Sequence, residues 1–401
     1  MFRPTKSGTP SFLIALGLSL GATISLGMSR FSYALLLPPM REDLGWSYLL
    51  AGSMNTANAL GYFAGALATP SLMRRFNVRA VLVGGALFTA LFLFLSGFVT
   101  DSTTLLVLRM LAGVASAFTF IAGGVLTAQL GEQHGRQVGL LLGLYCGGAG
   151  LGIAISAQLV PQILESAQRY SAAHAWQWAW IALAIICLLA TIAMRMAAQQ
   201  IMPLASRQAS HGKFLPGFFT YGLAAYGLFG VGYIGYMTFV VALLKQQGMA
   251  SAQISAFYTL LGIGAVVSPF IWARMLDRFR GGQSLAILNL LLAVATLLPV
   301  LSTNPLVAFI SGGLFGVVFL SVVASTSALV RHNLPSSLWP AGISAFTIVF
   351  AFGQIVGPVA AGWISDGPGG LLRGFFFSAI ALLLGSLLAI RQRASVVALQ
   401  E

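Results

Sequence analysis

Phe12–Leu37 reads FLIALGLSLGATISLGMSRFSYALLL, 26 residues with a single charge, Arg30. A helix rises about 1.5 Å per residue, so about 20 apolar residues cross a bilayer's hydrocarbon core. This run is long enough to span. It is too long for the core of a signal peptide, and no clear cleavage site follows it. It is continuously apolar, whereas a membrane barrel strand alternates. A helix satisfies its own backbone in lipid, so the run reads as a first transmembrane helix.

The rest of the 401 residues repeats that pattern. Hydrophobic residues make up 58% and charged residues 7%, against about 25% charged in soluble domains. Apolar runs mark twelve spans, at 12–37, 48–70, 79–98, 103–127, 137–160, 175–196, 216–244, 252–273, 283–302, 305–329, 339–364 and 370–390. The longest polar connection, with Pro203, Arg207, His211 and Lys213, sits mid-chain. The expected organisation is a six-helix bundle over 1–196, a cytoplasmic linker over 197–215 and a second bundle over 216–401. The fold class is all-α membrane protein.

The net charge of +13 would suggest nucleic acid in a soluble protein. Here it follows the membrane rule that places Lys and Arg on the cytoplasmic side. With both termini inside, Arg41, Arg169, Lys245 and Arg373 fall outside, and fifteen other basic residues fall inside. The expected location is the cell inner (plasma) membrane, and nucleic acid is not an expected partner. The lipid bilayer is the expected environment, and the protein is expected to be a monomer.

That placement leaves Arg30 and Arg109 within spans. A charge at bilayer depth is costly and marks a functional site by default. Arg30 lies eight residues before an expected end near Pro38, about 12 Å along the axis. Arg109 lies six residues into a span starting near Thr103, about 9 Å. Two guanidinium forks at similar depth suit a carboxylate or phosphate. For Arg109 the competing role is structural, bonding backbone carbonyls of span 1. For Arg30 it is snorkelling to the outer interface.

No acidic residue falls inside a span. Glu42, Asp43, Asp101, Glu132, Glu165, Asp277, Asp366 and Glu401 sit in expected loops, span ends or the tail. A proton-driven cation exporter needs a carboxylate at depth, so an anionic substrate is the expectation. Glu42 or Asp43 dipping into an outer vestibule would keep proton coupling open, but the ordinary reading of both is a solvated loop. On span 7, Tyr226, Tyr233 and Tyr236 are expected near one helical face, while Tyr221 suits an interfacial belt. Tyr33 is three residues from Arg30, and Asn58 and Gln354 add amides that can bond between helices.

The His residues, His134, His174, His211 and His332, are scattered, so no metal set is expected. Cys146 and Cys187 lie in apolar runs, and neither a disulfide nor a metal is expected of them. No phosphate-binding Gly-rich loop with its Lys is present. No cofactor is expected, nor an enzyme, which needs converging acid, base or metal groups.

The halves match at an offset of 203 residues. Arg109–Gly113 lies over Gly312–Gly316, Gly139 over Gly342, Gly150 over Gly353, and Arg74-Arg75-Phe76 over Asp277-Arg278-Phe279. Such duplication is common in secondary transporters. With Met275-Leu276-Asp277-Arg278-Phe279 after span 8 and Arg109 four residues before Gly113, the chain resembles the major facilitator superfamily over nearly its whole length. The first-half loop departs from that family's pattern, with Arg74 where aspartate is usual and Asn77 where glycine is usual. The glycine-rich Gly139–Gly152 lacks the Gly-Pro pair of the antiporter motif. Span 11 carries Gly357-Pro358 instead.

The resemblance implies twelve helices in two six-helix pseudo-repeats around a central cavity, working by alternating access. Asp277 and Arg278 would be the conformational loop motif. The expected function is a secondary-active or facilitative transporter of a small organic anion, with protons as a possible second partner. The substrate-binding set is Arg30, Tyr33, Asn58, Arg109, Tyr226, Tyr233, Tyr236 and Gln354. The alternatives are an efflux pump for neutral or amphipathic drugs and a transport-inactive receptor or scaffold.

Overall fold

The computed structural model describes residues 10–133, 138–201 and 216–394. The linker from residue 202 onward lies outside them, as do Arg3, Lys6, His134, Arg136, Arg207, His211, Lys213 and Glu401. The described residues form twelve long helices: α1 (Ser11–Leu44), α2 (Tyr48–Arg75), α3 (Val78–Ser96), α4 (Ser102–Gln133), α5 (Val138–Arg169), α6 (Ala175–Gln199), α7 (Thr220–Gln246), α8 (Ser251–Arg278), α9 (Gln283–Leu301), α10 (Pro305–Asn333), α11 (Trp339–Ser365) and α12 (Gly370–Ile390). Eleven are long and apolar enough to cross a membrane. The other is α2, whose hydropathy is lowered by Asn55, Asn58 and their small neighbours. The protein is an all-helical, multi-pass membrane protein.

The end of the first helix differs from the expectation. The first helix does not stop near Pro38 but runs to Leu44, with Pro38 and Pro39 inside it. Proline is tolerated within membrane helices because neighbouring elements re-satisfy the freed backbone groups. Arg30 therefore stands 14 residues before the helix end, not eight. Asp43 is exposed, as expected, but is not in a loop. It lies in the last turn of α1, where its Oδ2 is 2.6 Å from His174 Nδ1 and accepts from Trp176 Nε1 at 2.6 Å.

The described parts of the chain divide into two compact units. Unit 1 comprises Met1–Trp46, Ala57–Ala205 and Ala250–Val266, and unit 2 comprises Ser47–Thr56, Ser206–Met249 and Val267–Glu401. Helices α2 and α8 thus each contribute to both units.

Within unit 1, small residues decide how closely α1 and α5 pack. Thr23 Oγ1 donates to Gly148 O at 2.8 Å. A Cβ built on Gly27 would lie 2.5 Å from Gly152 Cα and 2.8 Å from Ala149 O. The glycines of α5 are thus contact surface for α1, the usual use of small residues between membrane helices. Residues Thr23–Phe31 form a π-helical stretch inside α1, with Ser32 N donating to Gly27 O at 3.0 Å. Such stretches are rare and concentrate at functional sites.

Outside the spans, Asp101 caps α4. Its carboxylate accepts from Thr104 N at 2.7 Å and Thr104 Oγ1 at 2.8 Å, and these bonds hold its pKa below the usual value, the backbone bond most strongly. The cap therefore supports the fold at neutral pH and weakens as the pH falls through that depressed pKa.

Gly27→Ala is expected to lower the thermal midpoint of the purified protein, since overpacking costs about 1–3 kcal/mol. Gly84→Ala, where a Cβ meets nothing within 4 Å, is the matched control and should leave the midpoint unchanged.

Candidate functional site

Arg30 is the penultimate residue of the π-helical stretch of α1, and both it and Arg109 are buried, each 2% exposed. Arg109 reaches across from α4 and donates from Nη1 to Ser29 O at 2.6 Å. Arg109 thus reaches the residue next to Arg30, although the end of α1 at Leu44 breaks the helix-rise count that would set the two level. Ser29 is the residue immediately before Arg30. A π-helical backbone shifts its hydrogen bonds by one residue, and the guanidinium binds a carbonyl of that shifted stretch.

Aromatic faces enclose the Arg109 head. Its Cζ lies 4.9 Å from the centroid of Tyr33 and 5.4 Å from that of Trp180. A cation over aromatic rings gains about 2 kcal/mol or more when desolvated. Asn58 Nδ2 on α2 donates to Arg109 O at 3.1 Å. Unit 1 thus brings together four of the expected site residues: Arg30, Tyr33, Asn58 and Arg109. The carbonyl contact weighed against a substrate contact for Arg109 is present. Trp180 was not anticipated, although Trp176 and Trp180 sit four residues apart on α6. Trp176 holds Asp43, and Trp180 lies against Arg109.

The remaining candidates form a separate cluster in unit 2. Gln354 on α11 donates through Nε2 to the Tyr233 hydroxyl. Tyr226, Phe229 and Tyr233 on α7 lie nearly parallel to Phe350 on α11, with interplanar angles of 9–20° and centroids 4.8–5.6 Å away. Tyr236 does not share this face. Its ring stacks on Phe315 of α10 at 4.0 Å, and its hydroxyl is 2.7 Å from Ser311 Oγ. Three residues turn a helix by about 300°, which falls short of a full turn by enough to present a different neighbour. Tyr221 is exposed, unlike the other three.

The repeat offset relates the two clusters. Tyr33 lies over Tyr236, and Arg109 lies over Gly312. Each tyrosine is buried, but one faces a guanidinium and the other a phenyl ring. The loop-motif pair, Asp277 and Arg278, is exposed in the last turn of α8. Beyond it, His332 Nδ1 contacts Phe279 O at 3.3 Å, and Asn333 Nδ2 donates to Arg280 O at 2.7 Å. Among the described residues, no group of three or more His, Cys, Asp or Glu is placed to hold a metal.

Over residues 22–390 the chain matches the model of a family described as uncharacterised MFS-type transporter YbfB. The chain belongs to this family of major facilitator superfamily transporters. A putative tartrate transporter from Agrobacterium vitis is 23% identical over 386 residues, covering 88% of this chain and 83% of that protein. Crystal structures of the nucleoside transporter NupG (TM-score 0.68, 16% identity, 96% and 98% of the two chains) and of an inward-facing, occupied bacterial homologue of the human lysosomal transporter Spinster (TM-score 0.70, 13%, 96% and 97%) share the fold. The transporter thus has the two-repeat, twelve-helix fold, and its partner is a small-molecule substrate.

Removing the Arg109 side chain leaves the Ser29 carbonyl without this donor, a loss of about 1–3 kcal/mol. Arg109→Ala is therefore expected to lower both membrane yield and thermal midpoint, with Arg109→Lys in between because lysine lacks the planar fork. Wild-type stability combined with selective loss of substrate binding would instead make Arg109 a ligand residue.

Proposed function

We propose that this transporter carries a small organic anion, most simply a carboxylate, by alternating access of six-helix halves at 1–196 and 216–401. We place it in the plasma membrane as a monomer with both termini in the cytoplasm. One observation carries the reading: two buried arginines meet at a single π-helical stretch, and all seven described acidic residues are exposed. Buried cations in a membrane helix need an anion, a carbonyl or an aromatic face. Arg109 draws on the last two. Arg30 stands beside it and is the residue assigned to the substrate carboxylate. Tyr33 and Asn58 position Arg109, on the ring face and through its carbonyl respectively. The similarity to a putative tartrate transporter points in the same direction.

A second reading rests on a different observation. The parallel rings of Tyr226, Phe229, Tyr233 and Phe350 form an apolar panel suited to a flat, neutral or amphipathic molecule. On that reading the protein exports drugs, and a resistance profile of expressing cells separates the two.

The anion reading predicts that Arg30→Gln abolishes uptake while leaving the amount of protein in the membrane unchanged. It also predicts that a carboxylate from an anion library raises the thermal midpoint of the wild type and not of Arg30→Gln. Saturation at a hundred times the dissociation constant adds about 2.7 kcal/mol to stability. Full uptake by Arg30→Gln would sink the reading.

A further inference from the structure

Two buried donors of unit 1 lack the partners that comparable groups have. A polar group buried away from water is expected to be hydrogen-bonded. On α1 the hydroxyls of Ser19, Thr23, Ser25 and Ser32 each donate to a carbonyl three or four residues earlier. The Ser29 hydroxyl, fully buried on the same helix, has no hydrogen-bond partner among the described residues. The indole N–H groups of Trp46, Trp176, Trp272 and Trp339 donate to Ser102, Asp43, Val317 and Leu334. Trp180 is fully buried, and its N–H has no partner among the described residues.

Both donors flank one charge. Arg109 donates from Nη1 to the Ser29 carbonyl, and its Cζ lies 5.4 Å from the centroid of the Trp180 ring. Arg30 follows Ser29 directly in the chain. The Asp43 carboxylate does not serve Trp180, because Trp176, one turn earlier on α6, holds it. A buried donor without an acceptor loses its water and gains nothing in return. An oxygen on the substrate is the acceptor these two suit. A guanidinium fork engages both oxygens of a carboxylate, so Arg30 accounts for the acid group. Ser29 and Trp180 are left for the next oxygen along the molecule. A hydroxyl satisfies both: it accepts from the indole N–H, and it either accepts from or donates to Ser29 Oγ.

We propose that Ser29 and Trp180 form a hydroxyl subsite beside Arg30, so that the carried anion is a 2-hydroxycarboxylate, with its hydroxyl on the carbon next to the acid group. The proposal rests on the reading of Arg30 as the partner of the carboxylate, and narrows it. Neighbouring residues of α1 meet neighbouring groups of the ligand. An acid without the hydroxyl leaves both donors bare in the bound state, and a site built to bond a substrate hydroxyl discriminates strongly against the analogue that lacks it.

The test titrates the purified full-length protein with two matched pairs, racemic malate against succinate and racemic lactate against propionate. Affinity is read from the rise of the thermal midpoint with ligand concentration. The wild type is expected to bind the hydroxy acid of at least one pair about tenfold or more tighter than its partner. Trp180→Phe keeps a ring over Arg109 and removes the N–H. Ser29→Ala removes only the hydroxyl, and serves if the Trp180→Phe chain does not fold. Each is expected to cut the preference by about threefold or more, by weakening the hydroxy acid and sparing the acid without the hydroxyl. Trp178→Phe, on the exposed face of α6, should keep the full preference. Equal affinities within both pairs would overturn the hydroxyl subsite and leave the carboxylate reading standing. If none of the four acids binds, the subsite is overturned, and the anion library decides the carboxylate reading separately. A uniform loss for both members of a pair in the Ser29 and Trp180 variants, the mark of a purely structural role, would overturn the assignment, and so would an equal fall in preference for Trp178→Phe.

Discussion

The bond from Arg109 to the Ser29 carbonyl is the contact on which unit 1 turns. Lipid provides no water to a backbone group or a charge, so each must find its partner within the protein. Here one contact serves both needs. The π-helical stretch of α1 presents a carbonyl, and the guanidinium reaches it from α4. Tyr33 and Trp180 complete the enclosure of the cation, and Asn58 ties α2 to the same residue through its backbone. Three helices and α6 thus converge on one side chain, and Arg30 is carried at the point of convergence.

Glycine makes this convergence possible. Gly27 and Gly152 let α1 and α5 touch backbone to backbone, and Gly113 meets the Asn58 backbone so closely that a Cβ would lie 2.9 Å from Tyr62 N. Unit 2 solves the same packing problem with rings. Its α7 is largely buried, with Tyr226 and Tyr233 against Phe350 and Tyr236 against Phe315. Hydroxyls are matched to Ser311 and Gln354, and the ring faces stack.

Apolar runs and charge placement together located the twelve helices, since lipid demands long apolar segments and α2 alone falls short in hydropathy. They were not enough at Pro38 and Pro39, where a rule learned from water-exposed helices ended α1 too early. That Arg30 and Arg109 are buried charges was legible from the apolar runs around them, but not their common level, since the helix-rise count took Pro38 as the end of α1, six residues short. Their connection through Ser29 was not legible either, because a π-helical stretch leaves no signature in residue type. Trp180 was visible only as one member of an i, i+4 aromatic pair, which is indistinguishable from ordinary core. Asp43 is exposed, as an acid near a turn should be, and what local pattern misses is what it holds. Its partners His174 and Trp176 lie 131 and 133 residues away, beyond the reach of local pattern.

The duplicated positions Tyr33 and Tyr236 kept their ring while their companions diverged, arginine and serine-phenylalanine respectively. Two positive charges consequently sit in the interior of one repeat, while the basic residues of the other, among those described, lie at helix ends. The buried charge is unevenly shared between the two repeats. A charge displaced through a transmembrane field does work, about 2.3 kcal/mol per elementary charge for each 100 mV crossed. Any motion that carries those two charges along such a field therefore moves charge of its own, with or without a substrate bound.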